Sequence, residues 1–352
     1  MIYLLTFLIS VILFYKGSQR KSKYLCCLAI LIPCILAGLR DLSIGIDVTW
    51  YVSPGFDAAN GKPLAKFLSG YEEGEIEKGY LVFVWMITNI FHNLGVLLFS
   101  LEFIILLPFY LFFYNNKNHT RAAIYLLIYL FSFYNMQLCV IRQSMAVSLV
   151  FTAFFFYMRR RYFIALLFAL WGVLTHNSAL LLFLTGMILI VLEWKMTPKK
   201  IVLFTMLSGV MMLFAVSYIY NHLELIAGNA KYVERLDNSL NDAEGGGLIT
   251  NSVFALAALI PLAAYFYNHI KYAFFGVLPL VGAILQFAFQ GTYFSRLAYL
   301  FLPLLPLALY YSTYFKRKFP LMDISLLMIF FVYWFVSFII RNNWETYPYI
   351  FR

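Results

Sequence analysis

Three arginines, a histidine and an aspartate stand out in this sequence because they interrupt or border long apolar runs. Arg40 and Asp47 lie in GLRDLSIGIDVTW, directly after one such run, while Arg142 lies in VIRQSM and His176 in LTHNSALL. The third arginine, Arg296, lies in QGTYFSRLAY. Placing an arginine at the centre of a bilayer costs at least about 2.5 kcal/mol, so ionisable residues at membrane depth are candidates for function.

The chemistry that suits these residue types is group transfer from a phosphate. Guanidinium groups bind phosphate through two parallel hydrogen bonds and stabilise the negative charge that develops on it. Histidine titrates near neutral pH and can take a proton from an attacking hydroxyl. We therefore predict that the arginines bind phosphate and that His176 is the general base. Asp47 is the alternative base, or the residue that orients the histidine or restrains an arginine.

Each of these residues also has an ordinary structural explanation. An arginine near a helix end can place its guanidinium among lipid phosphates, and His176 can be a hydrogen-bonded packing residue. Asp47 can cap a helix that begins near Val48. The set as a whole favours a function, because the predicted topology puts all of its members on one side of the membrane.

The elements that must position these residues are membrane helices. The chain has 352 residues, of which 63% are hydrophobic and 12% are charged, and its mean hydropathy is +0.81. Soluble domains carry about 25% charged residues, and the apolar runs here approach the ~20 residues that cross a bilayer. A β-barrel would show short alternating segments instead. We predict one all-α integral membrane domain over residues 1–352, with outer segments at 40–79 and 221–250.

The basic residues predict the orientation of the chain. Sixteen of the 26 lysines and arginines fall in every second loop, which the positive-inside rule places in the cytoplasm. Both termini then lie outside, residues 2–15 form a retained first helix, and about 12 spans result, within a range of 11–14. The run 80–114 is too long for one span. We predict that HNLG, residues 92–95, divides it into a short piece, 80–91, and a true span, 95–114.

Other features of the sequence predict no further chemistry. The four cysteines lie in or beside apolar runs without disulfide or zinc spacing, so we interpret them as packing residues. The acidic run EEGEIE, residues 72–77, is predicted to be a solvated loop, and no metal-ligand or nucleotide-binding motif is present. The net charge of +10 indicates basic cytoplasmic loops and not a nucleic-acid partner. We predict that no metal or cofactor is needed, and we assign no role to Glu102.

The motifs around the candidate residues resemble those of the EpsG family of polysaccharide polymerases. This family is a branch of the Wzy-type O-antigen and exopolysaccharide polymerases. An arginine, a G-x-D segment and a tyrosine follow the second span, an R-Q pair precedes a small residue, and a histidine begins an apolar helix after a basic loop. The residues that carry the resemblance are Arg40, Gly45, Asp47, Tyr51, Arg142, Gln143, Ala146 and His176.

The resemblance implies an inner-membrane glycosyltransferase of GT-C-like architecture, acting in lipopolysaccharide or exopolysaccharide synthesis. It would transfer a growing glycan from undecaprenyl pyrophosphate to the terminal sugar of another lipid-linked repeat unit, with its active site facing the periplasm. Membrane lipids, a flippase and a chain-length regulator would be its partners, and no nucleotide sugar would be needed. Tyr51, Gln143 and Asn177 are predicted to join the arginines in binding the substrate.

Three other functions remain open from the sequence. A flippase for lipid-linked oligosaccharides needs charges along a path across the bilayer, whereas the charges here lie at the predicted outer ends of helices. An O-antigen ligase uses the same donor with a different acceptor, and only the order of the motifs favours the polymerase. An acyltransferase would need a carboxylate beside its histidine, which the sequence does not establish.

Overall fold

The computed structural model describes residues 1–71, 76–221, 247–289, 293–314 and 320–352. Throughout these ranges the secondary structure is helical, apart from one isolated antiparallel bridge between Arg40 and Phe351. The prediction of an all-α membrane protein is therefore confirmed at that level. The α-helices are α1 Ile2–Gln19, α2 Lys23–Leu39, α3 Ser53–Ala59, α4 Leu64–Leu68, α5 Lys78–Phe91, α6 Leu94–Tyr114, α7 His119–Tyr129, α8 Asn135–Gln137, α9 Ile141–Met158, α10 Tyr162–Thr175, α11 Ala179–Lys195, α12 Pro198–Asn221, α13 Gly247–Phe266, α14 Ala273–Ala288, α15 Leu305–Tyr314 and α16 Pro320–Trp334.

Some of the described helices are long and apolar enough to cross a membrane. They are Ile2–Gln19, Leu94–Tyr114, Ile141–Met158 and Leu321–Ile340. Several other apolar helices, α10 among them, are shorter than a simple span requires. These helices support an integral membrane protein, while the count of about 12 spans and the GT-C-like architecture stay predictions.

The chain divides into two compact units, and each candidate residue except Arg296 belongs to the first. This unit comprises Met1–Phe183 with Pro320–Arg352, and the second comprises Leu184–Phe319. In the first unit α9 and α10 form a closely packed pair, α6 packs on α2 and α9, and α5 packs on α10. In the second, α14 packs against α12, α13 and the 3-10 helix that follows. The prediction of a single membrane domain stays a prediction.

The predicted division of the run 80–114 is confirmed. Helix α5 ends at Phe91, and His92 takes a left-handed conformation with φ of 48°. Helix α6 begins at Leu94, where the side chain of Asn93 accepts a hydrogen bond from the N–H of Val96. The HNLG segment thus ends one helix and caps the next.

Within the first unit, contacts join segments that the predicted topology places on the same side of the membrane. Arg121 and Asp323, both predicted to be cytoplasmic, form a buried ion pair at 2.7 Å. At the other end Tyr3 donates to the carbonyl oxygen of Thr346 at 2.8 Å, which brings the two predicted outer termini together. Which end faces the cytoplasm stays a prediction from the basic residues.

Candidate active site

Glu77 joins the two side chains that the sequence predicts to be most important. Its Oε2 accepts a hydrogen bond from Nη1 of Arg142 at 3.1 Å, and its Oε1 lies 2.7 Å from Nδ1 of His176. The backbone N–H of Asn177 donates to the same Oε1 at 3.1 Å. One carboxylate therefore fixes an arginine and a histidine that come from different helices.

The helix packing explains why these residues meet. Arg142 lies in the first turn of α9, while His176 follows the last residue of α10, so the antiparallel pair brings both to the same end. Glu77 directly precedes α5, which packs on α10. Gly172 lets α10 approach α9 closely near this end, because a Cβ there would lie 2.8 Å from Cγ2 of Val150.

The charge of Glu77 determines which ring nitrogen of His176 carries the proton. Burial alone would raise the pKa of Glu77, but the hydrogen bond and charge of His176 and the N–H of Asn177 outweigh it and lower that pKa to about 2. An ionised carboxylate can only accept hydrogen bonds. Nδ1 of His176 must therefore carry the shared proton, which leaves Nε2 of the neutral ring with a lone pair. The His176 side chain is 26% exposed, so part of the ring reaches the surface of the site.

Arg142 is supported from a second direction by Tyr51. The guanidinium carbon lies 3.9 Å from the centre of the tyrosine ring, which is the geometry of a cation–π contact. Nε of Arg142 is buried and has no hydrogen-bond partner among the described residues. The guanidinium is thus held in place with donor capacity that its protein neighbours do not use.

Asp47 supports the helix that carries Arg142. Its Oδ2 accepts a hydrogen bond at 2.9 Å from the N–H of Ile141, the first residue of α9. A negative charge at a helix N-terminus stabilises the helix dipole. A π-helix does begin at Val48 with Asp47 at its N-cap position, as suggested, but the Asp47 side chain makes no capping hydrogen bond there. Glu77 takes the orienting role that was predicted for Asp47, since its Oε1 lies 2.7 Å from Nδ1 of the His176 ring.

The position of Asp47 depends on Gly45. This glycine has φ of +91°, a conformation that residues with a Cβ rarely adopt. A Cβ at Gly45 would also collide with the carbonyl oxygen of Leu138. The glycine of the G-x-D segment therefore lets this loop lie against the chain that leads into α9.

Arg40, one of the arginines predicted to bind phosphate, is buried. Its exposed fraction is 1%, and the C-terminal residues lie along its backbone. The N–H of Asp41 donates to the carbonyl oxygen of Ile350, and the N–H of Arg352 donates to that of Leu39, both at 2.9 Å. A direct contact of Arg40 with substrate stays a prediction.

The charge of Arg40 acts on other buried ionisable side chains. One is Glu102, which is buried in α6 and accepts a hydrogen bond from Gln137 at 2.6 Å. Another is Tyr80, whose buried hydroxyl is also influenced by the charges of Asp47 and Arg142. Arg40 therefore adds positive potential to a low-dielectric interior that borders the site.

Buried polar atoms without a partner in the described part of the chain are concentrated near this site. Native proteins satisfy most such atoms, so each exception requires an explanation. They include Nε of Arg142 and Oγ of Ser178 at the site, and Nε and Nη1 of Arg40 and the hydroxyl of Tyr80 in the interior that borders it. Most of them are hydrogen-bond donors, which suits an anionic ligand.

The structure gives less support for the other residues that were predicted to bind substrate. Gln143 is buried in the first turn of α9, and Asn177 is exposed and contributes its backbone N–H to Glu77. Arg296 belongs to the second unit, in the 3-10 helix Tyr293–Leu300. The substrate-binding roles of these three residues stay predictions.

The sequence-based prediction missed Glu77. The acidic run 72–77 was expected to be solvated, which is wrong for its last residue, whereas 72–75 lie outside the described residues. The signal that distinguishes Glu77 is its place directly before the apolar run that forms α5. In the described ranges, no three His, Cys, Asp or Glu side chains are grouped as a metal site requires.

Comparison with known proteins gives one match. The family model for the EpsG family matches residues 23–351 and so includes all the residues of the site. No curated protein and no solved structure matches the chain.

Proposed function

Because the chain belongs to the EpsG family, a polysaccharide polymerase-type family, we propose that it polymerises lipid-linked glycan repeat units in the bacterial inner membrane. The donor is a growing glycan on undecaprenyl pyrophosphate, and the acceptor is the terminal sugar of another lipid-linked unit. The site faces the periplasm, at the outer ends of about 12 spans with GT-C-like architecture. The observation that carries the proposal is the Arg142–Glu77–His176 arrangement.

The transfer breaks one bond and forms another at the anomeric carbon of the donor. The acceptor hydroxyl oxygen bonds to this carbon, while the bond from the carbon to the pyrophosphate oxygen breaks. The pyrophosphate leaves with the electron pair and remains attached to its lipid. Nε2 of His176 takes the proton of the hydroxyl, as the tautomer fixed by Glu77 permits.

Arg142 stabilises the negative charge that develops on the leaving pyrophosphate. Its donors can approach two phosphate oxygens at once, which a lysine cannot do. Tyr51 and Glu77 hold the guanidinium before substrate binds, so little reorganisation is needed during the reaction. Arg40 contributes positive potential from the adjacent interior.

Glu77 acts through its neighbours. It keeps the proton of His176 on Nδ1 and stabilises the imidazolium that forms when Nε2 is protonated, the role that a buried aspartate has in a serine protease. We further propose that the reaction needs no metal, because the guanidinium supplies the cation and the Glu77 carboxylate is already shared between three partners, Arg142, His176 and the N–H of Asn177. Elongation in EDTA with no added metal tests this point, and activity that returns only with Mg²⁺ or Mn²⁺ would contradict it.

A histidine beside a carboxylate is also what an acyltransferase requires. The unused Nε donor of Arg142 favours the polymerase, since an acyl ester carries no phosphate to occupy it. Family membership favours it for an independent reason.

The glycan profile of cells that lack the gene tests the proposal. Single repeat units in place of long ladders are expected, and a plasmid copy should restore the ladders. Two other profiles would contradict it. Polymer that remains on the lipid carrier without being transferred would indicate a ligase, and lipid-linked units that accumulate on the cytoplasmic face would indicate a flippase.

A further inference from the structure

An apolar groove lies in the first unit between α6, α9 and α10. Its volume is about 220 Å³, more than the ~150 Å³ of an engineered apolar cavity that binds benzene. Residues from all three helices line it, including Pro108, Leu149, Phe156, Phe168 and Trp171. The groove can therefore take a hydrocarbon segment larger than one aromatic ring.

The polar content of the lining is low and already satisfied. Thr152 supplies a hydroxyl to the wall, and this hydroxyl donates to the carbonyl oxygen of Ser148 at 2.8 Å. The rest of the wall is aliphatic or aromatic. An occupant thus needs no hydrogen-bonding groups, and a polar one would lose its own bonds to water.

The groove lies directly beneath the candidate active site. Leu149 is about 10 Å from Arg142 along α9, and Phe156 is about 21 Å from it, at the 1.5 Å rise of a helix. Trp171 lies only about 7 Å before His176 along α10 by the same rise. Two of the three helices that form the groove, α9 and α10, thus carry Arg142 and His176 at one end.

The lower end of the groove is marked by another arginine. The guanidinium carbon of Arg159 lies 4.1 Å from the ring centre of Phe155, which is part of the lining. Arg159 follows the last residue of α9, about 26 Å along the helix from Arg142. This separation is close to the ~30 Å thickness of the hydrocarbon core, so the groove lies at membrane depth.

We infer that this groove binds the polyisoprenoid tail of the lipid-linked donor, an inference that rests on the proposed function. With the pyrophosphate at Arg142, the tail must enter the hydrocarbon core beside α9 and α10. Leu149 and Phe156 of the lining follow Arg142 by 7 and 14 residues, which places them on the same face of α9. The groove therefore orients the donor, so that the anomeric carbon faces His176.

The groove prefers this tail over other lipid tails because of packing, and not because of the hydrophobic effect. A lipid tail gains little free energy when it moves from one apolar environment to another, so the fit between the shape of the tail and the groove decides the preference. A polyisoprenoid has regularly spaced methyl branches and planar double bonds, which a straight saturated acyl chain lacks. Pro108 lies within α6 and gives the wall an irregular backbone, since a proline removes one helical hydrogen bond.

Photo-crosslinking of the full chain in lipid nanodiscs tests the inference. The probe is undecaprenyl pyrophosphate without glycan, carrying a diazirine in the part of its tail next to the pyrophosphate. Crosslinks are expected at 104–111, 149–156 and 168–171, and they should disappear with excess unlabelled undecaprenyl pyrophosphate. Crosslinks confined to other helices would overturn the inference, as would equal competition by phosphatidylglycerol, which would indicate an ordinary lipid site.

A groove-filling variant gives an independent measurement. Thr152→Trp should lower the preference for undecaprenyl over a short prenyl donor, measured as a ratio of kcat/KM, by about tenfold, or about 1.4 kcal/mol. Leu170→Trp is the matched control, because Leu170 is 50% exposed on α10 and lies outside the lining. An unchanged preference in Thr152→Trp would overturn the inference. If this variant does not fold, Ile104→Phe in the opposite wall replaces it.

The two experiments separate this inference from the proposed function. The crosslinking probe carries no sugar, so its position does not depend on polymerisation. A protein that binds the tail in the groove but never elongates glycan would contradict the proposed function alone. A protein that elongates glycan with no groove crosslink would contradict the groove alone.

Discussion

Replacing Glu77 with glutamine should disable the site, although the two side chains have nearly the same size. In the protein, Oε1 of Glu77 accepts from His176 and from the N–H of Asn177, and Oε2 accepts from Arg142. A glutamine has one acceptor oxygen and one donor NH₂ in these two places. Either orientation of the amide therefore breaks part of the arrangement.

The two orientations fail in different ways. If the amide oxygen faces His176, the NH₂ group faces the Arg142 donor and the arginine loses its partner. If the NH₂ group faces His176, Nδ1 must accept, so the ring proton moves to Nε2 and the base is lost. Hydrogen bonds to charged groups contribute about 1.5–3 kcal/mol, so the first failure alone lowers kcat/KM by about 10- to 150-fold. The second approaches the ~10⁴-fold loss known for the wrong histidine tautomer in a serine protease.

The assay is elongation of a fluorescent lipid-linked repeat unit by purified protein in vesicles, with product ladders quantified on gels. Asp57→Asn is the matched control, because it removes one negative charge from an exposed position on α3. This control should retain wild-type activity. A Glu77→Gln protein that elongates within about twofold of wild type would refute the role assigned to Glu77.

Three further predictions follow from the same contacts. Arg142→Ala should lower kcat/KM by about 100- to 1,000-fold in this assay while expression stays normal. Arg142→Lys should recover little of this activity, because lysine lacks the planar fork of a guanidinium. Full ladders in either variant would contradict the phosphate-binding role. Gly45→Ala should lower the melting temperature more than Gly61→Ala does. Both glycines have a positive φ, but only a Cβ at position 45 would collide with Leu138. Equal melting temperatures of the two variants would argue against the close approach of Gly45 to Leu138. The pKa of Glu77 is lowered in the folded protein from 4.5 to about 2, so its stabilising effect should be complete above pH 4.5 and lost as pH falls through about 2. The difference in melting temperature between wild type and Glu77→Gln should therefore shrink over this range, and a constant difference would exclude an ionised Glu77.

The sequence predicted the parts of the site that stand out locally. Arg142 and His176 are ionisable residues in apolar surroundings, where their cost is large and visible from composition. The helix break at HNLG was predictable because turn-forming residues interrupt an apolar run too long for one span.

Contacts between distant segments were not predictable in this way. Glu77 lies 65 residues from Arg142 and 99 from His176. In the sequence it resembles the other acids of its run. The burial of Arg40 was not predictable either, because nothing near it in the sequence shows that the C-terminal residues lie along it.

Single-turnover elongation by the His176→Ala variant tests the central claim most directly. Wild-type and variant proteins in vesicles receive a radiolabelled repeat unit on undecaprenyl pyrophosphate, and donor binding is measured in parallel. The account predicts ladders and released undecaprenyl pyrophosphate from wild type, with turnover in the variant lower by about 100-fold or more and donor affinity nearly unchanged. Turnover at the wild-type rate, or a loss of donor binding that accounts for the whole defect, would contradict the assignment of His176 as the general base.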